Sequence, residues 1–147
     1  MATVSSPRSR AQSKTSTRAS NARDLSQGLQ VQPLFCPTSA VDPFDTVNWT
    51  HRSAQIKDES GKLMFEQKDV EIPENWTQLA TNVIVSKYFY GENGTPEREN
   101  SVRQLINRVT RTIADWGIAD GYFATPEDGE NFYRELTWLC LHQHGAF

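Results

Sequence analysis

Cysteine is scarce in this chain of 147 residues: there are two, Cys36 and Cys140, far apart and in unrelated contexts. They form no Cys-x-x-Cys pair, which excludes a zinc ribbon or a dithiol redox motif. Two free thiols in a reducing compartment are expected, since a disulfide would need a geometry that spacing alone does not supply. Long apolar runs are missing too. Nothing approaches the roughly 18 consecutive apolar residues of a membrane span, and the first residues hold no apolar signal-peptide core. No Gly-rich phosphate loop of the usual forms occurs. Hydrophobic content is 37% and mean hydropathy is -0.62, so part of the chain is expected to lie outside any core. The length supports one domain.

Acidic residues are nearly absent from the first 30 positions. Arg8, Arg10, Lys14, Arg18 and Arg23 face Asp24 alone, a balance of +4, which leaves -7 on the rest of a chain whose net charge is -3. Residues 1–30, rich in Ser, Thr, Arg, Gln and Ala, read as a disordered basic tail. A basic arm on nucleic acid or on another subunit is the second reading, and a transit peptide the third. The acidic body is not an expected nucleic-acid partner.

What is present is helical periodicity. Val102, Leu105, Ile106, Val109, Ile113 and Trp116 recur at spacings of three and four, forming one apolar stripe. The spacing predicts a helix entered through Thr95 as cap, Pro96 as first residue and Glu97 near the positive end of the dipole. Gly117 is expected to end it. Before it, a helix over 76–90, capped by Asn75, is apolar on most sides: Leu79, Val83, Ile84, Val85, Tyr88 and Phe89 leave only Gln78, Asn82 and Lys87 as polar face. Such a helix wants neighbours on most sides. The loop Gly91–Gly94 supplies residues that tolerate positive φ. A third helix opens with Thr125-Pro126-Glu127-Asp128, a capping box with Pro at the first position, and is expected to run to about Gln143 with Gly145 ending it.

Upstream, Pro33, Pro37 and Pro43 make Leu29 to Phe44 an extended lead-in, with a turn at Asp42-Pro43. Residues 49–56 and 63–70 alternate imperfectly around the turn cluster Asp58-Glu59-Ser60-Gly61 and read as a β-hairpin. Two strands are marginal alone and must lean on a helix or join another sheet. The fold class is therefore α+β and mostly helical: a disordered tail, one hairpin and three main helices, with no internal repeat.

No complete reactive constellation emerges. Cys140 and His144 could share a helical face, whereas His142 and His144, two apart, should point to different sides. That is half a zinc site at best, and ordinary helix-end residues are the preferred reading. Asp115, Asp120, Glu127, Asp128 and Glu130 cluster in sequence, but caps and solvation account for them. Glu92 and Glu97 oppose an anion site in the Gly91–Gly94 loop. Glu99 and Arg103 are spaced as an exposed ion pair. The four tryptophans, Trp49, Trp76, Trp116 and Trp138, all fall where core packing explains them. No catalytic, cofactor-binding or metal-ligating residue is assigned.

Longer segments carry a resemblance. DPFDTVNW with Arg52, GKLMFEQKDVEIPENW, TQLATNVIVSKYF, GTPERE, SVRQLI, TIADWG, DGYFATPEDGE and LTWLCLHQHGAF follow one another collinearly. Together, over about Leu29 to Phe147, they resemble the N-terminal region of bacterial adenosylcobalamin-dependent, class II ribonucleotide reductases. The resemblance implies a piece of a larger enzyme that reduces ribonucleotides at the 2′ position to deoxyribonucleotides for DNA synthesis. In that family adenosylcobalamin supplies a radical passed to a cysteine, a cysteine pair supplies electrons, and the catalytic domain is a ten-stranded α/β barrel. Residues 31–147 would be the N-terminal domain, cut off before the Asn-Ser-Pro segment, the catalytic cysteines and the barrel.

Neither Cys36 nor Cys140 matches a family catalytic motif, so this portion alone is expected to be inactive and to bind no cobalamin. Trp76 to Phe147 would pack on the barrel. The implied partners are a ribonucleotide and a thioredoxin-like thiol reductant, both through the barrel, in the cytoplasm. No membrane is expected, and assembly of the parent into a homo-oligomer is left open. The competing reading is a stand-alone helical binding module that uses its basic tail on nucleic acid or a protein partner.

Overall fold

The computed structural model describes residues 28–40 and 42–145. Of the tail expected over residues 1–30, residues 1–27 lie outside them, and Leu29 belongs to the fold instead, its N–H donating to Tyr122 O (2.7 Å) and its carbonyl accepting from Ala124 N (2.9 Å). The described chain is α+β and mostly helical, as its periodicities predict. Strands β1 (Trp49–Lys57) and β2 (Leu63–Pro73) form an antiparallel hairpin, followed by helices α1 (Gln78–Lys87), α2 (Val102–Ala119) and α3 (Pro126–Leu141).

Register in the hairpin runs from Trp49 opposite Pro73 to Lys57 opposite Leu63, with an irregularity between Arg52 and Ala54. Lys68 and Asp69 stand there opposite Ser53 alone, one residue extra, and Asp69 takes a φ of 56°. This is a bulge that re-aims the strand so Ala54, Val70 and Ile72 all face the core. The turn is held by Asp58, whose Oδ1 accepts from Ser60 N (2.9 Å), Ser60 Oγ (2.6 Å) and Lys62 N (2.9 Å).

The hairpin leans on α1 through the polar side of that helix. Gln78 Nε2 donates to Ser53 O (2.9 Å), and Asn82 Oδ1 accepts from Gln55 N (3.1 Å). Backbone groups on the free edge of β1 are thereby satisfied by side chains. Thr77, not Asn75, is the N-cap, with its Oγ1 accepting from Ala80 N at 3.1 Å. Helix α1 is thus shorter than the 76–90 expectation, and Trp76 lies before it.

The entry to α2 differs from expectation as well. Residues 95–98 form turns, and the helix begins at Val102 with Ser101 as N-cap. The Thr95 hydroxyl donates to Glu92 O (2.8 Å) instead of accepting from a helix. Arg98 and Glu99 hold the loop in place: Arg98 reaches back to carbonyls of α1 and the loop, and the buried Glu99 carboxylate accepts from Tyr90 N (2.7 Å). Glu99 precedes α2 and so pairs with Arg108 (2.8 Å), not with Arg103. Arg103 lies over the rings of Trp49 and Phe44.

Along α2 the stripe is buried only in its first half. Val102, Leu105 and Ile106 are core, whereas Trp116 is 66% exposed. Farther along, the inward residues are Thr110 and Ala114. Thr137 of α3 donates its hydroxyl to Thr110 Oγ1 (2.9 Å), which in turn donates to Ile106 O (2.8 Å), so both buried hydroxyls are satisfied. Gly117 does not end α2. A Cβ there would stand 2.6 Å from the Phe123 ring, so this glycine gives the returning chain room, and Gly121, with a φ of 70°, makes the turn. The α3 capping box forms as read: Asp128 N donates to Thr125 Oγ1, and Thr125 N donates to Asp128 Oδ2.

The lead-in runs along α3 and is fastened by that helix's carboxylates. Leu29 bridges Phe123 in parallel pairing. Val31 N donates to Asp128 Oδ1 (2.8 Å), and Phe35 N and Cys36 N donate to the two oxygens of buried Glu135 (2.8 and 2.9 Å). Glu135→Ala leaves two N–H groups without acceptors and is expected to cost about 2–3 kcal/mol. Urea denaturation reads the loss, and Cys36 should become reactive to a thiol reagent in the variant; a Cys36 as protected as before would show that the strap does not depend on Glu135.

Candidate functional site

The residues with chemical potential scatter when placed in the fold. Asp128 is committed to the cap and the lead-in, and its pKa is lowered by the Thr125 hydroxyl and the Val31 N–H. Asp115 and Glu130 both pair with Arg111 at 2.8 Å, and that guanidinium also lies over the Tyr133 ring. These acids are structural partners. Both thiols are buried. Burial pushes Cys140 up to about 11 and raises Cys36 as well, although Arg134 works against the rise. Thiols held protonated are poor nucleophiles and poor metal ligands.

The end of α3 departs from the spacing argument. His142 and His144 both stack on Trp138, at centroid distances of 4.1 and 5.5 Å. They share an indole because α3 stops at Leu141 and Gln143 turns to a φ of 58°, so helical spacing no longer applies. Gln143, and not Gly145, takes the left-handed position. Phe35 of the lead-in stacks on Trp138 too, at 5.6 Å. The Thr46 hydroxyl donates to Pro43 O (2.7 Å), so its oxygen is left to accept from His142 Nε2 (3.3 Å). Among the described residues no three His, Cys, Asp or Glu side chains gather as metal ligands would.

Burial lowers the pKa of His142, and His144 adds to the effect. A base whose folded pKa lies below its unfolded value is penalised on protonation. The folded state binds fewer protons in that window, so stability is full above about pH 6.5 and falls as pH drops through the folded pKa. An NMR titration of the imidazole protons should place the His142 midpoint below the ordinary histidine value; a midpoint at or above it would contradict the burial argument.

Among the described residues an apolar groove lies between α1, the start of α2 and the end of α3. It holds about 260 Å3 and is lined by Trp76, Ala80, Ile84, Leu105, Ile106 and Cys140, with Val83, Tyr88, Gln143 and Gly145 at its rim. Its floor is fixed by Trp76, whose Nε1 donates to Leu141 O (2.8 Å). No charged side chain lines it. A groove of this size suits a few apolar side chains. Its volume is small for a corrin ring, and its lining offers few polar donors for the ring's amide arms, so this groove does not fit a cobalamin. The sequence marks α1 as apolar on most sides, but its periodicity does not tell which side is left open.

The comparisons with known proteins bear on the chain as a unit. A family model described as class II vitamin B12-dependent ribonucleotide reductase matches residues 50–143, which span the hairpin and all three helices. A vitamin B12-dependent ribonucleotide reductase of Rhodopirellula baltica is 68% identical over 121 residues, covering 82% of this chain and 12% of the relative. The enzyme of that name from Streptomyces coelicolor is 42% identical over 122 residues, again covering 82% of this chain and 12% of the relative. One from Agrobacterium fabrum is 29% identical over 126 residues, covering 63% of the chain and 10% of the relative. The chain therefore spans about an eighth of the length of these curated relatives.

Proposed function

Because the chain belongs to the class II vitamin B12-dependent ribonucleotide reductase family, we propose that it is the N-terminal portion of a reductase that converts ribonucleotides to deoxyribonucleotides. The observation that carries this reading is the match to one continuous folded unit, β1 through α3. Residues 31–147 are assigned to that N-terminal domain. The parent's reaction is radical reduction at the ribose 2′ position with adenosylcobalamin as cofactor, a ribonucleotide as substrate and a thioredoxin-like thiol as reductant, in the cytoplasm. No helix of the described residues is long and apolar enough to cross a membrane.

Within the parent this portion contributes shape and not reacting groups. Its thiols are buried and protonated, Asp115, Asp128, Glu99, Glu130 and Glu135 are tied to a cap, arginines and the lead-in, and its groove does not fit a corrin. Cofactor and substrate are accordingly assigned to other residues of the parent. The test is a chimera: this chain replaces the segment it matches in the Rhodopirellula baltica enzyme. Adenosylcobalamin-dependent formation of deoxyribonucleotide is expected from the chimera and none from the 147-residue chain alone. A folded chimera without that activity, beside an active Rhodopirellula enzyme, would overturn the reading.

A further inference from the structure

Helix α1 turns Thr81 and Val85 into the core and lays its polar side along the hairpin. Gln78 and Asn82 face the edge of β1, which turns Leu79 and Val83, one helical turn apart, away from the body. Leu79 is 73% and Val83 46% exposed, and Tyr88 continues the same surface. Val83 and Tyr88 also line the apolar groove, and Leu79, one turn before Val83, extends that apolar surface along the helix. Single exposed apolar residues need no explanation, but a contiguous apolar surface marks a contact.

We propose that this surface is the seat of an apolar segment from the remainder of the same polypeptide. The proposal rests on the reductase reading above and names the face through which that portion meets the rest. Three observations favour an occupant in the same chain. The matched stretch is only 12% of the relatives' length, so most of such a protein lies outside these residues. Gln143 and Gly145, the last part of the described chain, line the groove themselves, so the end of α3 and the groove belong to one surface. A tethered segment also binds at high effective concentration, so a groove without charged anchors suffices to hold it. The uncharged lining disfavours nucleic acid, whose affinity comes from phosphate contacts.

The experiment labels cysteine reporters with a fluorescent maleimide. Val83→Cys is compared in the 147-residue chain and in the full-length Rhodopirellula baltica chimera, with Met64→Cys at the exposed hairpin end as a control. Labelling of Val83→Cys is expected to slow by about tenfold or more in the chimera, as covered sites do, and Met64→Cys to slow much less. Equal Val83→Cys rates in a chimera that still reduces ribonucleotides overturn the docking proposal and leave the family reading standing. Protection of Val83→Cys that grows with concentration in the isolated chain assigns the face to a second copy and also overturns it. A chimera that protects Val83→Cys but reduces nothing supports the docking face and removes the reductase reading.

Discussion

Arg98→Ala is expected to lower the stability of the folded unit by about 3–4 kcal/mol. Helix α1 stops at Lys87, and its last carbonyls need donors from outside the helix. Arg98 supplies one of them: a guanidinium nitrogen donates to Val85 O at 2.5 Å, while another donates to Phe89 O and Gly91 O in the following loop, both at 2.8 Å, and Nε to Gln67 Oε1 at 3.0 Å. The guanidinium also lies over the Phe89 ring at 5.7 Å. One side chain thus joins α1, the following loop and β2. Burial lowers its pKa, with Glu99 opposing the shift, but a guanidinium stays charged at any ordinary pH. Alanine leaves several half-buried carbonyls without a donor. Arg98→Lys should recover only a minor part, because an ammonium cannot spread donors in a planar fork. Urea denaturation gives the answer: the midpoint should fall with little change in slope. A loss under about 1 kcal/mol would mean that water replaces the arginine at these carbonyls.

That clip explains why the start of α2 misleads a reader of the sequence. Thr95-Pro96-Glu97 has each local property of a helix entry, yet the chain goes on through Arg98 and Glu99 before the helix begins at Ser101. Local chemistry offers two caps six residues apart. The choice is made by contacts with Val85 of α1 and with Phe89 and Tyr90 of the loop that follows it. Where no such competitor exists, reading succeeds: the capping box at Thr125 and Asp128 forms with the residues expected. Gly117 shows the same limit from the other side. Its missing Cβ serves the Phe123 ring and not the backbone, and composition cannot separate those two uses of glycine.

The candidate surface was half legible. Periodicity showed that α1 had more apolar residues than one face needs. Which face turns in was set by the backbone of β1, whose edge requires a donor and an acceptor that Gln78 and Asn82 provide. With Thr81 and Val85 in the core and Gln78 and Asn82 on the β1 edge, Leu79 and Val83 are left on the outward side, which costs little because single exposed aliphatic side chains are ordinary. The stacking of His142 and His144 on Trp138 was not legible at all, since it follows from one left-handed residue, Gln143, at the end of α3.

Trp76→Ala should be the other severe substitution, at about 3–5 kcal/mol, in line with truncation of a buried aromatic side chain. The residue is 6% exposed and ties three elements together. Its N–H donates to Pro73 O at 3.0 Å at the end of β2, its carbonyl accepts from the Arg52 guanidinium, and its indole donates to Leu141 O at the end of α3. Only the side-chain bond and the packing are lost on substitution, so the backbone links serve as an internal control. Trp76→Phe keeps most of the apolar contact and leaves Leu141 O unpaired; a loss of about 1–2 kcal/mol is expected. The ratio between the two variants is the informative quantity. If phenylalanine costs nearly as much as alanine, the indole bond to α3 dominates and the groove floor is set by a polar contact. If phenylalanine costs almost nothing, packing alone sets it, and the end of α3 can shift against α1. In that case the groove would be adjustable in width, and in the full-length chimera Trp76→Phe should leave Val83→Cys protected.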